Sequence, residues 1–224
     1  MNVILGDSRV LTMKRSNLSW NLREVEDIWG SPGGNFRTCL DLVDDNIIYH
    51  HPPITYGTTH YYIATGICDI TTKLTKPGYQ EIVFRSDEGL ADKIKTDVSK
   101  VENHILKQAA LPIFCTIYPM SLKVWNCQRL KQNKTKYLKH ENEYSNMQED
   151  LNKTVEMIND YLIKTNIKNG VATPLTHLAI NKSRRGKQYI YFNDLIDGCH
   201  PDSPAISKMV VSINKALARN KHLH

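Results

Sequence analysis

Short β-prone runs, each cut off by a glycine-containing turn and most followed by residues at helical spacing, recur along this chain. That alternation restricts the fold more than any other feature. Residues 2–5 run into Gly6-Asp7-Ser8, and residues 23–29 run into Gly30-Ser31-Pro32-Gly33-Gly34. From Asn35, the residues Phe36, Leu40 and Val43 recur at helical spacing, and residues 60–65 form a third β-prone run closed by Gly66. Leu90, Ile94, Val98, Val101 and Ile105 mark one face of an amphipathic helix, which leads to a buried strand at 111–118. Met147, Leu151, Val155, Ile158 and Leu162 predict a second long helix ending near Asn169-Gly170. A last helix is expected from Ser203-Pro204, an N-cap followed by proline, using Ile206, Met209, Val210, Ile213 and Leu217.

Strands separated by helices argue for a parallel sheet covered on both faces, with ligands beyond the carboxyl ends of the strands. No internal repeat or linker interrupts the 224 residues, so one domain spanning 1–224 is expected, with a polar insertion at about 120–140. With 41% apolar residues, the chain is long enough for a sizeable core. Its apolar runs are far shorter than the roughly 20 residues that span a bilayer. Residues 1–5 lead directly into Gly-Asp-Ser without the basic and apolar regions of a secretory signal, so a cytoplasmic location is expected. The five cysteines are spaced too widely for Cys-x-x-Cys and read as reduced thiols.

The net charge of +6 is concentrated in Lys131, Lys134, Lys136 and Lys139, and in Lys182, Arg184, Arg185 and Lys187. A single aromatic residue, Tyr137, stands within the first cluster and none within the second, short of a series of stacking platforms, so they read as solvated surface, with a nucleic-acid-facing patch as the alternative. His50-His51 precedes Pro52-Pro53 in an extended stretch and reads as surface rather than as a metal pair. Nucleotide-binding glycine patterns are absent.

Three turns after predicted strands carry chemistry-bearing residues: Gly6-Asp7-Ser8, Gly33-Gly34-Asn35 and Gly66-Ile67-Cys68-Asp69. A serine at a strand-to-helix turn has its N–H exposed and its hydroxyl at the positive end of a helix, which favours a developing oxyanion. It needs an imidazole to take its proton. Asp197-Gly198-Cys199-His200-Pro201 supplies one, with an aspartate three residues away on a turn to orient the ring.

Gly-Asp-Ser near the start and Asp-x-x-His near the end resemble the first and last sequence blocks of the SGNH, or GDSL, hydrolases. The resemblance implies a three-layer α/β/α sandwich with a central, mostly parallel five-stranded sheet of flavodoxin-like type. It also implies cleavage of a small-molecule, lipid or carbohydrate ester through an acyl-serine, with Ser8, His200 and Asp197 as the triad and no metal or organic cofactor. The oxyanion hole implied by it comprises Ser8, Gly34, with Gly33 as the alternative, and a third-block residue. That third block departs from the family pattern Gly-x-Asn-Asp, because Cys68 stands where the asparagine would be. A thiol is a weak donor, so the departure implies weakened activity or replacement by Asn35, Thr71 or Thr72. A catalytically weakened binding module with the same fold is the second reading.

Overall fold

The computed structural model describes residues 1–50, 59–135, 141–184 and 187–221. The chain opens with strand β1 (Asn2–Gly6), helix α1 (Ser8–Arg15), strand β2 (Asp27–Gly30), helix α2 (Phe36–His50) and strand β3 (His60–Ala64). A one-turn helix α3 (Ile67–Ile70) leads into an antiparallel hairpin of β4 (Thr71–Lys76) and β5 (Tyr79–Phe84). Helix α4 (Leu90–Lys107), strand β6 (Leu111–Phe114), helix α5 (Leu122–Lys131) and helix α6 (Glu141–Lys168) follow. A small hairpin of β7 (Asn181–Arg184) and β8 (Lys187–Ile190) precedes the last helix, α7 (Ser203–Asn220).

The central sheet has the order β2-β1-β3-β6, with all neighbours parallel. Side chains alternate along its strands. Val3, Leu5, Tyr61, Ile63 and Phe114 pack on one face against α2, α4 and α6, while Ile4, Tyr62 and Ile113 pack on the other against α1 and α7. Each face is covered by helices, which is why the strands read as continuous apolar runs.

Four strands, not five, form this sheet among the described residues. The outer edge of β6 is instead satisfied by side-chain amides of α6. Asn166 Oδ1 accepts the Phe114 N–H at 2.9 Å and its Nδ2 donates to the Phe114 carbonyl at 2.8 Å. Beyond the strand, Asn159 makes the same pair of bonds to Ile117, both at 2.6 Å. The segment that follows α6 adds a Thr116 N–H bond to the Pro174 carbonyl, at 3.0 Å. Since these buried backbone groups must be paired somehow, the asparagines remove the need for a fifth strand. They also explain why the strand expected at 111–118 stops at Phe114, although the chain stays buried through Ser121.

The stretch expected to be a polar insertion contains α5, whose Leu122, Trp125 and Asn126 are buried. Asn126 pairs with both the N–H (2.8 Å) and the carbonyl (2.9 Å) of Ile82 in β5, so this helix is built into the fold. Too few of its positions are apolar to reveal it by periodicity. Lys136 and Lys139 lie outside the described residues, as do His51, Arg185 and the side chains of His50, Arg184 and Lys187. Lys182 is paired with Asp194 at 3.2 Å and lies over the Tyr191 ring, so one member of the second basic cluster is engaged within the chain. Among the described residues, no helix is long and apolar enough to cross a membrane.

Candidate active site

β1 ends at Gly6, where an added Cβ would lie 2.3 Å from the Ala64 carbonyl oxygen and 2.4 Å from a Val10 methyl. Only glycine lets the first strand turn so closely against β3. Asp7 then caps α1, its Oδ1 accepting the Arg9 N–H at 2.8 Å. The cap leaves the Ser8 N–H, at the positive end of α1, without an acceptor among the described residues.

At the far end of the chain a tight loop presents His200. Asp197 Oδ1 accepts the N–H groups of Cys199 (3.0 Å) and His200 (2.9 Å), and Oδ2 accepts from His200 Nδ1 at 2.9 Å. With Nδ1 carrying a proton, His200 Nε2 is left to accept from the Ser8 hydroxyl, 3.0 Å away. Burial alone would raise the Asp197 pKa, but the bonds from the His200 ring and the two backbone N–H groups outweigh it and hold the carboxyl down at about 2. It is therefore a carboxylate at neutral pH, able to stabilise an imidazolium. The structure brings together Ser8, His200 and Asp197, from sequence positions up to 192 residues apart, as a chain of hydrogen bonds.

Gly198 shapes this loop. It has φ +84, and a Cβ there would meet the Ser121 carbonyl and the Trp125 nitrogen at 2.8 Å. The Ser121 N–H donates to the Gly198 carbonyl at 2.7 Å, so the start of α5 is the surface on which the histidine loop rests.

The glycine turn after β2 is held differently from the expectation. The Gly34 N–H donates to the Ser31 carbonyl at 2.9 Å, while the Gly34 carbonyl accepts from Thr65 Oγ1 at 3.0 Å. A donor already closing a turn is not free for a second acceptor. Gly33, at φ +71, has open space around its Cα and no acceptor for its N–H among the described residues. Of the residues considered as replacements for the missing asparagine, Thr71 has its donor engaged, Oγ1 donating to the Ile67 carbonyl at 2.9 Å. Asn35 uses its Oδ1 to accept the Thr38 N–H at 3.0 Å, which leaves its amide Nδ2 as a donor.

Cys68 is half-buried on α3. Burial first, and then the Asp7 carboxylate, push its thiol up to about 11, so it carries its proton at neutral pH and is a weak donor rather than a thiolate. Its neighbour Asp69 is buried and accepts the Phe36 N–H at 3.2 Å. Burial outweighs that bond and raises the carboxyl to about 7. Asp69 stands in the sequence only as the last residue of the third block, with no role given to it, and Arg9, whose guanidinium is buried against Asp7, does not stand out there. α1 also carries Lys14 and Arg15, so an arginine at its second position gives no sequence signal of burial; the partners it meets decide that.

No protein-family model and no curated protein matches the sequence. Among solved structures, a protein assigned as an acylhydrolase from Bacteroides fragilis matches all of this chain and 88% of its own, with TM-score 0.64 at 16% identity. The chain has the SGNH hydrolase fold. A GDSL-like lipase from Bacteroides thetaiotaomicron superposes on 97% of the chain and 87% of its own, with TM-score 0.64 and 12% identity. The chain is also similar in structure to a psychrotrophic esterase from a Pseudoalteromonas species, over 99% and 98% of the two chains, with TM-score 0.53 and 13% identity.

Proposed function

We propose that this chain is a serine hydrolase that cleaves carboxylic esters of small molecules, lipids or carbohydrates through an acyl-serine intermediate. The observation that carries the reading is the pair of bonds from Ser8 Oγ to His200 Nε2 (3.0 Å) and from His200 Nδ1 to Asp197 (2.9 Å) at the N-terminus of α1. The SGNH fold and the esterase and lipase among its structural neighbours support it.

In this reading Ser8 Oγ attacks the ester carbonyl while His200 Nε2 takes the hydroxyl proton, and Asp197 stabilises the imidazolium. The imidazolium then gives its proton to the departing alcohol. Water, activated by the same ring, hydrolyses the acyl-serine. The Ser8 N–H is the first oxyanion donor, and the Gly33 N–H takes the place expected of Gly34 as the second. The Cys68 S–H is a weak third. Where a side-chain amide is replaced by a weak donor, turnover falls by about 100- to 1,000-fold, so a slow esterase is expected.

The test is labelling with a fluorophosphonate, alongside turnover of p-nitrophenyl acetate. Ser8→Ala should abolish labelling and turnover, His200→Ala should abolish turnover, and Asp197→Asn should lower it by about 10⁴-fold. Equal turnover in wild type and Ser8→Ala would overturn the proposal.

A further inference from the structure

We infer that Arg9 is a positioning residue, whose buried guanidinium ties the turn carrying Ser8 to the wall carrying His200. The inference rests on the ester-hydrolase reading and adds to it a link that none of the three catalytic candidates provides.

The Arg9 and Asp7 side chains are 5% and 1% exposed. Arg9 Nε lies 3.2 Å from both Asp7 carboxylate oxygens and Nη2 lies 2.8 Å from Oδ2, so the guanidinium clamps the residue that caps α1. Its remaining nitrogen, Nη1, donates to the Tyr118 carbonyl at 3.0 Å, and the guanidinium carbon stands 4.6 Å from the centre of the Tyr118 ring. Only Pro119 and Met120 separate Tyr118 from Ser121, and Met120 is fully buried. Ser121 in turn holds the Gly198 carbonyl at 2.7 Å, inside the loop that Asp197 closes on His200. A continuous path of buried contacts therefore runs from the residues on either side of Ser8 to the histidine loop. The planar fork of arginine suits this role, since it can bond a carboxylate and a carbonyl together where an ammonium cannot span both. Arg9 also neutralises a carboxylate one residue from the nucleophile, where an unpaired negative charge would oppose a developing oxyanion.

Two variants test this. Arg9→Lys retains the charge and loses the fork. Asp7→Asn with Arg9→Met removes both buried charges together, keeps an N-cap side chain, and avoids stranding either partner. Each is measured for the second-order rate of fluorophosphonate labelling. Each is also measured for the effect of Ser8→Ala on the His200 ring nitrogens by ¹⁵N NMR, a readout that needs no turnover. A displacement of about 1 Å costs on the order of 100-fold. The double variant should therefore fold, label 10- to 100-fold more slowly, and lose the Ser8→Ala effect on His200, with Arg9→Lys intermediate in both. Wild-type labelling rates in the double variant, or an undiminished Ser8→Ala effect, would overturn the inference. If the wild type does not label, the ester-hydrolase reading fails, while the NMR comparison still decides whether Arg9 couples Ser8 to His200. If the double variant does not fold, Arg9→Lys decides by the same two readouts.

Discussion

Alanine at Gly198 tests whether the histidine loop is held by its seat on α5. Two costs are predicted from the structure. The backbone at φ +84 is a conformation that L-residues avoid, worth about 1–2 kcal/mol. In addition, the new methyl would lie 2.8 Å from the Ser121 oxygen and the Trp125 nitrogen, and 3.0 Å from Val124 Cβ. Two of those atoms are backbone at the start of a helix and cannot yield as a flexible side chain would. Restoring an ordinary 3.4 Å contact requires the loop to move by about 0.6 Å, the difference between 3.4 and 2.8 Å. The bond at stake is the 3.0 Å contact between His200 Nε2 and Ser8. A misplacement of about 1 Å at a reacting centre costs on the order of 100-fold, so turnover of p-nitrophenyl acetate should fall by roughly 10- to 100-fold. Gly89→Ala is the control, because Gly89 has φ +66 with nothing within 4 Å of the added methyl. It carries the strain without the clash, and should lower Tm by about 2–8 °C with turnover unchanged. If Gly198→Ala matches Gly89→Ala in both Tm and turnover, the seat on α5 does not position His200.

Three further outcomes follow. Because the Asp197 pKa is depressed in the folded chain, its stabilising contribution is complete above about pH 4 and is lost as the pH falls towards 2. Acid unfolding of wild type and Asp197→Asn should therefore converge across that window, and a constant gap would count against the bonded carboxylate. Asp69 has the opposite sign: its folded pKa, near 7, lies above the ordinary aspartate value of 3.8, so the folded state holds the extra proton and wild-type stability declines as pH rises from about 4 to 7. Asp69→Asn should flatten that decline in a Tm-against-pH series, and an unchanged slope would refute the assignment. Cys68→Asn should raise kcat on a small ester by about 10-fold or more if the weak third donor limits turnover, whereas a fall would assign Cys68 another role.

Much of this architecture was legible in the chain itself. Turns and amphipathic helices are local events, so Gly6-Asp7-Ser8, Gly66 and the apolar steps of α4, α6 and α7 could be read residue by residue. The start of the last helix was misplaced by one position, because Asp202 rather than Ser203 supplies the cap, accepting the Ala205 N–H at 3.0 Å. The Asp197 to His200 turn was visible for the same reason, as its carboxylate bonds backbone only two and three residues away.

What only the tertiary structure decided are the pairings between distant segments. That Asn166 and Asn159 stand in for a fifth strand depends on how α6 lies along β6, and an asparagine in a helix carries no mark of the edge it will meet. Whether the Gly34 N–H faces Ser31 or the space near Ser8 depends on a single turn's dihedral angles. Arg9 could be recognised as buried only once Asp7 and Tyr118 were seen around it. Local periodicity records which face of an element avoids water. The partners of buried polar groups are chosen by packing, where the cost of leaving such a group unpaired selects among neighbours that the sequence holds far apart.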